Sequence, residues 1–195
     1  MQFVNLNDIV PTPWKNGGGL TRDLLFWPRA DEWQMRISVA EVARNGPFSA
    51  YPGIARWFAV LQGAGVVLHL DGAAGDEGLH LTPESPALHF DGALAPDCTL
   101  IDGPTLDLNL MSRQGAGRAE LARATAGLLW ASGAPLRGVF TLHGATLHGA
   151  GPAPLKLPAG TLAFAGPAPC GAWQLTDTGD GTAANWWLSF TPHRR

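Results

Sequence analysis

The clearest secondary-structure signal in the chain is residues 33–40, which read Trp-Gln-Met-Arg-Ile-Ser-Val-Ala. Apolar and polar side chains alternate along this segment, so one face carries Trp33, Met35, Ile37 and Val39 and the other carries Gln34, Arg36 and Ser38. The pattern is typical of a β-strand with one packed face. Its polar face either contacts solvent or, in a barrel that holds a ligand, points inward. Arg36 is therefore a candidate binding residue.

Glycine and proline divide the rest of the chain into pieces of strand length. The 25 Gly and 16 Pro are spread along all 195 residues, and they leave segments of about five to eight residues, the usual length of strands. A second alternating segment covers residues 105–113, and residues 185–190 form the last predicted strand. The sequence therefore predicts an all-β fold. Residues 117–126, rich in Ala and Arg, are the one stretch that could instead form a short helix.

Two further patterns concern the arrangement of the strands. Apolar runs before and after Gln62-Gly63-Ala64-Gly65 predict a hairpin of buried strands. Residues 155–166 resemble residues 81–92 at an offset of 74, and the same offset brings Leu68-His69 onto Leu142-His143. Such a repeat suggests a duplication, and hence two small β-barrels or sandwiches in one chain.

Composition restricts the kinds of partner that the chain can have. It holds 13 Lys and Arg against 16 Asp and Glu, and the basic residues are scattered, which argues against nucleic acid and against an anionic membrane surface as partners. The sequence shows neither an apolar segment long enough to span a membrane nor a secretory signal, so we expect a cytoplasmic protein. Cys98 and Cys170 are expected to be free thiols. Monomer and homodimer both stay open.

Residues 13–23, Pro-Trp-Lys-Asn-Gly-Gly-Gly-Leu-Thr-Arg-Asp, are the least generic part of the sequence. Three consecutive glycines are costly to order, so folded proteins keep them where the backbone needs positive φ or lies close to another group. No Gly-Lys-Ser/Thr ending follows, which argues against a phosphate-binding loop. The segment is either a tight turn between two strands or a loop that lines a ligand site.

The pattern of chemically active residues favours binding over metal or nucleophile chemistry. The six histidines include no His-x-His or His-Glu-x-x-His spacing, and no Gly-x-Ser-x-Gly motif occurs, so the sequence predicts no metal and no cofactor. The candidate binding residues all lie in the first 113 residues, on predicted strand faces or at strand ends: Lys15, Asn16, Thr21, Arg22, Arg36, Arg56, Asp107, Asn109 and Arg113. If they converge, their guanidinium groups match the two oxygens of a carboxylate, with Trp14 and Phe48 as walls.

These segments together resemble the HutD/Ves family. The resemblance rests on residues 13–23 and 33–40, on Gly46-Pro47-Phe48-Ser49 with Pro52-Gly53 and Arg56, and on residues 102–111, all in family order. It implies a bicupin, with an N-terminal lobe over residues 1–115 that holds the pocket and a C-terminal lobe over residues 116–195. It also implies regulatory binding of a small acidic metabolite, with N-formylglutamate or another intermediate of histidine utilisation as the candidate. The ligand-binding residues that it implies are Asn16, Thr21, Arg22, Arg36, Ser38, Arg56, Asp107 and Asn109.

Two other functions stay open at this point. The chain could be an enzyme, a hydrolase or isomerase acting on a similar amino-acid derivative, with Asp107 or His89 as general acid or base. It could also be a protein-interaction module, which would be favoured if its own side chains filled the mouth of the barrel. Measured turnover would distinguish the enzyme from the binding protein.

Overall fold

The fold is all-β, as the sequence predicts. The structure is a computed structural model that describes residues 1–70, 78–166, 171–177 and 184–193. These residues contain three single-turn 3-10 helices, Leu6–Asp8, Ala30–Glu32 and Gly92–Leu94. The first strands in chain order are β1 (Gln2–Asn5), β2 (Thr12–Pro13), β3 (Gly19–Trp27), β4 (Met35–Val42), β5 (Gly46–Pro47), β6 (Ile54–Gln62), β7 (Val66–His69), β8 (Leu79–Leu81), β9 (Leu88–Asp91), β10 (Asp97–Leu100) and β11 (Thr105–Arg113).

The remaining strands belong to the second half of the described chain. They are β12 (Gly117–Arg123), β13 (Leu129–Trp130), β14 (Leu136–Thr141), β15 (Ala145–His148), β16 (Leu155–Leu157), β17 (Thr161–Ala165), β18 (Trp173–Thr176) and β19 (Asn185–Pro192). The alternative of a short helix over residues 117–126 is wrong, because β12 pairs along its whole length with β19.

The chain forms two compact units, Val10–Ala116 and Met1–Ile9 with Gly117–Arg195. The expected N-terminal lobe, residues 1–115, differs from this division at its beginning. β1 pairs antiparallel with β17, and Leu6 N donates a hydrogen bond of 2.8 Å to Gly160 O. The first nine residues therefore complete a sheet of the second unit.

The unit Val10–Ala116 consists of two antiparallel sheets. The larger has the strand order β2-β3-β4-β11-β6-β9, and the smaller has the order β5-β10-β7-β8. Apolar side chains from both sheets form one buried cluster, which includes Val42, Phe58, Val60, Leu68 and Cys98. Burial of this cluster is the main stabilising contribution available to a unit of this size.

The second unit repeats the strand order of the first. Its five-stranded sheet has the order β1-β17-β14-β19-β12, and its four-stranded sheet has the order β13-β18-β15-β16. The repeat found in the sequence aligns β9 with β17, as the topology requires. It misplaces Leu68-His69, because the strand equivalent to β7 is β15 and Leu142-His143 precede it. Loops of unequal length on either side of these strands shift the offset.

The expected hairpin around Gln62-Gly63-Ala64-Gly65 does not form. β6 pairs with β11 and β9 in the larger sheet, whereas β7 pairs with β10 and β8 in the smaller one. Gly63 and Gly65 have φ values of 102° and 112°, and a Cβ on Gly65 would overlap with the carbonyl oxygen of Leu81. The glycines thus let the chain cross closely from one sheet to the other.

Candidate functional site

A cavity of about 480 Å³ lies inside the unit Val10–Ala116. Its walls come from the loop before β3, from the central strands of the larger sheet and from the segment before β6. The lining residues are Thr12, Pro13, Trp14, Lys15, Asn16, Thr21, Asp23, Arg36, Ser38, Ala40, Val42, Phe48, Ser49, Tyr51, Arg56, Phe58, Asn109 and Met111. The cavity thus brings together six of the eight predicted site residues.

The glycine-rich segment is both a turn and part of the cavity wall. It connects β2 to β3, and Gly17 takes a φ of 69°. Gly19 lies so close to β4 that a Cβ would overlap with the carbonyl oxygen of Glu41. Trp14 Nε1 donates a hydrogen bond of 2.7 Å to Thr21 Oγ1. The turn therefore holds an indole and a hydroxyl against the cavity.

Phe48 also forms part of the wall, as expected. Its ring meets that of Trp14 edge to face, with the centroids 6.3 Å apart, and it packs on Phe58 at 5.5 Å. Aromatic pairs in this arrangement add to the stability that burial provides. The apolar side of the cavity is therefore built from rings that support one another.

The polar face of β4 points into the cavity. Met35, Ile37 and Val39 are buried on the opposite face, so of the two environments considered for the polar face the inward one is correct. Cross-strand pairing arranges the cavity side chains in rows. One row runs Asp23, Ser38, Asn109, Phe58, and the next runs Arg36, Met111, Arg56.

Arg56 is the central group of the site. Its side chain is only 5% exposed, and Nη2 donates a hydrogen bond of 2.9 Å to Asn109 Oδ1. The guanidinium carbon lies 5.1–5.6 Å from the ring centroids of Phe48, Tyr51 and Phe90. Within the described residues, Nε and Nη1 have no hydrogen-bond partner. A buried cation with unused donors is the arrangement that an anion completes.

The electrostatics of Arg56 follow from this burial. Desolvation is the largest influence and lowers the pKa of Arg56 to about 10. The phenol of Tyr51 acts in the opposite direction, and the charge of Arg36 lowers the pKa further. The group nevertheless stays charged at neutral pH. An anion placed beside it would relieve the cost of burying this charge.

Arg36 is more exposed than Arg56 and already has an acidic partner. Arg36 Nε donates to Asp23 Oδ1 at 2.6 Å, and the two side chains are 16% and 29% exposed. The ring of Phe26 lies 5.7 Å from its guanidinium carbon. Together with Lys15, the lining carries three cationic side chains and one acidic side chain. The cavity is therefore positively charged overall and suits anions.

Two predicted site residues do not line the cavity. Arg22 is not among the lining residues, because Thr21 and Asp23 face the cavity and alternation along β3 turns Arg22 to the opposite face. Asp107 shares the inward face of β11 with Asn109 but lies deeper, between Ala40 and Val60 on the neighbouring strands. It is fully buried and accepts a hydrogen bond of 2.8 Å from Thr105 Oγ1. Burial raises the pKa of Asp107 to about 8, against the lowering effect of that hydrogen bond.

His89, the other candidate general acid or base, does not line the cavity either. His89 pairs with Trp57, and the two rings lie 4.6 Å apart. Trp57 alternates with Arg56 and Phe58 on β6, so it faces away from the cavity. Cys98, by contrast, is buried in the core, and burial raises the pKa of its thiol to about 12. Cys170 lies outside the described residues.

Sequence reasoning missed Asp23, Tyr51 and Met111 as lining residues. Asp23 and Met111 follow Thr21 and Asn109 by two positions, so strand alternation alone could have identified them. Tyr51 lies in a segment rich in Pro and Gly, where no periodicity indicates the direction of a side chain. Its position depends on backbone hydrogen bonds such as Tyr51 N to Gly92 O.

Two features are absent from the described residues, a cluster of metal-binding side chains and a helix suited to a membrane. Residues 1–70, 78–166, 171–177 and 184–193 contain no cluster of three or more His, Cys, Asp or Glu placed to hold a metal ion. Within the same ranges, no helix has both the length and the apolar character needed to cross a membrane.

Comparison with known proteins decides the family. The family model described as HutD matches residues 6–180. The chain belongs to the HutD family. An uncharacterised 21.2 kDa protein of the hutC 3′ region from Pseudomonas putida is 33% identical over 128 residues, which cover 62% of this HutD-family chain and 63% of that protein. Protein Ves from Citrobacter koseri is 30% identical over 123 residues, 62% of each chain. The match thus spans less than two thirds of these relatives.

Solved structures extend the similarity to the whole chain. HutD from Pseudomonas fluorescens SBW25 has a TM-score of 0.83 and 27% identity, with 99% of both chains covered. Oxalate decarboxylase from Bacillus subtilis has a TM-score of 0.62 and 10% identity, with 100% of this chain and 78% of that chain covered. The second likeness concerns the fold alone. The predicted bicupin fold is confirmed, with one cupin-like barrel in each unit.

Proposed function

We propose that this HutD-family chain binds a small carboxylate-bearing metabolite in the cavity of the unit Val10–Ala116. The observation that carries the proposal is Arg56, which is charged, 5% exposed and has two donors, Nε and Nη1, without a partner among the described residues. Leaving a charge buried and unpaired is strongly unfavourable. A carboxylate supplies two acceptors and a compensating charge at the same time.

The rest of the cavity supports a ligand of the size of an amino-acid derivative. Its volume of about 480 Å³ lies in the range of small-molecule sites. Asn109 places an amide beside Arg56, Ser38 adds a hydroxyl on the strand next to Asn109, and Asn16 and Thr21 add polar groups at the loop. The rings of Trp14 and Phe48 complete the wall. Such a mixture lets the arginines hold charge while the neutral groups discriminate among ligands.

The candidate ligand is N-formylglutamate or another intermediate of histidine utilisation, and the proposed role is regulatory and cytoplasmic. Family membership supports this choice, as does the relative whose description places it in a hutC 3′ region. The positive charge of the lining favours an acidic ligand. We assign ligand contacts to Asn16, Thr21, Arg36, Ser38, Arg56 and Asn109.

An enzyme acting on a similar amino-acid derivative is the second candidate. The observation in its favour is Asp107, whose pKa of about 8 would suit a general acid or base near neutral pH. Against it, Asp107 lies below the lining of the cavity, and His89 faces away. Turnover of N-formylglutamate that disappears in Asp107→Asn would establish the enzyme.

Calorimetric titration with N-formyl-L-glutamate tests the binding proposal. Arg56→Lys keeps the charge but loses the planar fork, so we expect its Kd to rise about tenfold or more. Arg22→Gln is the matched control, because Arg22 lies on the opposite face of β3, and its Kd should stay at the wild-type value. Equal affinity of the wild type and Arg56→Lys would contradict the proposal.

A further inference from the structure

Asp23 is an acidic group inside a cavity that is otherwise built for anions. It lies on β3 opposite Ser38, in the row that leads across the sheet to Asn109. The register between β3 and β4 shifts directly after it, between Asp23 and Leu25. Such β-bulges re-aim side chains and are common beside functional sites. The strand is thus irregular at the position that directs this carboxylate.

The ion pair with Arg36 uses only part of the hydrogen-bonding capacity of Asp23. Oδ1 accepts from Arg36 Nε, whereas Oδ2 receives no hydrogen bond from the described residues. The side chain is 29% exposed, and Asp23 is one of the residues that line the cavity. A carboxylate oxygen can only accept hydrogen bonds when the group is ionised. Any ligand atom that meets Oδ2 must therefore be a donor.

A purely structural role for Asp23, to hold Arg36 in place, does not explain why a cavity suited to anions has a negative charge in its wall. A negative charge at the wall repels a carboxylate ligand, so it weakens the binding that Arg56 and Lys15 favour. The arrangement becomes favourable if the ligand presents a donor at this wall and its carboxylate at Arg56. An acceptor at the wall would be rejected, which is a common basis of specificity.

We propose that Asp23 is a specificity-determining residue that accepts, through Oδ2, a hydrogen bond from an N–H group of the carboxylate ligand. The inference rests on the proposed function and narrows it. The ligand is an amino-acid derivative with a nitrogen donor, as distinct from a plain dicarboxylate. Because Arg36 already balances the charge of Asp23, a neutral amide N–H is sufficient at this position.

The distances across the sheet agree with this assignment. Asp23 and Asn109 are separated by β4, so their backbones lie two strand spacings, roughly 10 Å, apart. Arg56 reaches to within 2.9 Å of Asn109 Oδ1. The carboxylate site and the donor site are thus separated by a gap that a small amino-acid derivative can bridge.

Calorimetry with three probes tests the inference on the full-length chain. The probes are N-formyl-L-glutamate, glutarate, and the ester analogue 2-(formyloxy)glutarate, in which an oxygen replaces the amide N–H. In the wild type, we expect N-formyl-L-glutamate to bind about tenfold or more tightly than either of the others. Glutarate and the ester analogue have no N–H group, so Asp23 Oδ2 stays without a donor when they bind. Equal affinity for the amide and its ester analogue would overturn the inference, and this comparison needs no variant.

The same titrations with the variant Asp23→Asn are the second part of the test. Its Kd for N-formyl-L-glutamate should rise about tenfold, while its Kd for glutarate should stay constant or fall, because a repulsive charge has been removed. Glu120→Gln is the matched control, since it breaks the pair of 2.6 Å between Arg118 and Glu120, whose side chains are exposed on β12. A parallel rise for all three probes in Asp23→Asn would indicate a structural role and overturn the inference.

The same measurements separate this inference from the proposed function. If the wild type binds all three probes equally and Arg56→Lys weakens the binding of each, the proposed carboxylate site is supported and the proposed role of Asp23 is refuted. If the wild type binds none of the probes, the proposed function fails, and the inference fails with it.

Discussion

Replacing Arg56 by Met should leave the ligand-free protein close to its original stability while weakening ligand binding. Burial lowers the pKa of Arg56 to about 10, and this depression corresponds to about 3 kcal/mol of free energy. At pH 7, below the pKa in both states, the guanidinium is charged whether the chain is folded or unfolded. The folded state therefore bears the whole cost of desolvation, and Met would relieve it.

The variant also loses favourable contacts of similar total size. The hydrogen bond to Asn109 and the three ring contacts disappear, and each contributes on the order of 1 kcal/mol. We therefore expect the free energy of unfolding of ligand-free Arg56→Met to stay within about 2 kcal/mol of the wild type. Binding of a carboxylate should weaken by at least about 1.5–3 kcal/mol, or roughly 10- to 150-fold in Kd.

Urea denaturation with and without N-formyl-L-glutamate measures both effects in one experiment. At the same ligand concentration, the ligand should raise the unfolding free energy of the wild type and of Arg22→Gln by clearly more than that of Arg56→Met. A loss of more than about 3 kcal/mol in the ligand-free variant is the result expected for a buried charge with a partner. It would show that Arg56 is already paired in the free protein, and would refute the reasoning.

Three further predictions concern other parts of the unit Val10–Ala116. Because the pKa of Asp107 is raised to about 8, the folded state retains a proton that the unfolded state has lost. The free energy of unfolding of the protein should thus fall by about 3 kcal/mol from pH 5 to pH 7. In Asp107→Asn, urea denaturation should show a much smaller change with pH. Gly19→Ala should cost about 1–3 kcal/mol in thermal unfolding, since its Cβ would overlap a backbone carbonyl of β4; Gly151→Ala, with open space around it, should not. In Cys170→Ser, Cys98 should react with a thiol reagent at pH 8 only after unfolding, because its pKa is about 12.

Side-chain alternation was the most informative signal in the sequence. It correctly placed Arg36 with Ser38 on one face of β4 and Asp107 with Asn109 on one face of β11, because these two strands pair with each other without a register shift. It therefore placed Arg36, Ser38 and Asn109 on one surface. The same rule, applied to β3, would have replaced Arg22 by Asp23. Arg22 was named because the resemblance implies it, and strand alternation was not applied to that choice.

Sequence patterns did not predict which strands pair when these strands lie far apart in the chain. Two apolar runs with a glycine-rich connection are equally compatible with a hairpin and with a crossing between two sheets. What decides between them is the approach of distant segments, such as Pro104 near Gly63 and Leu81 near Gly65. The position of β1 was hidden for the same reason, because its partner β17 lies more than 150 residues away.

The two barrels show how the same scaffold gives different interiors. Arg56 on β6 and Arg137 on β14 are both buried, and each guanidinium faces aromatic rings. Two residues further along, Phe58 pairs with Asn109, whereas Val139 pairs with Trp187. Trp187 stacks on Trp130 at 4.8 Å and packs near Trp173, so indole rings occupy the interior of the second barrel. The interiors of the two units therefore differ at a few inward-facing positions, and in the first unit polar residues at these positions line the cavity of about 480 Å³.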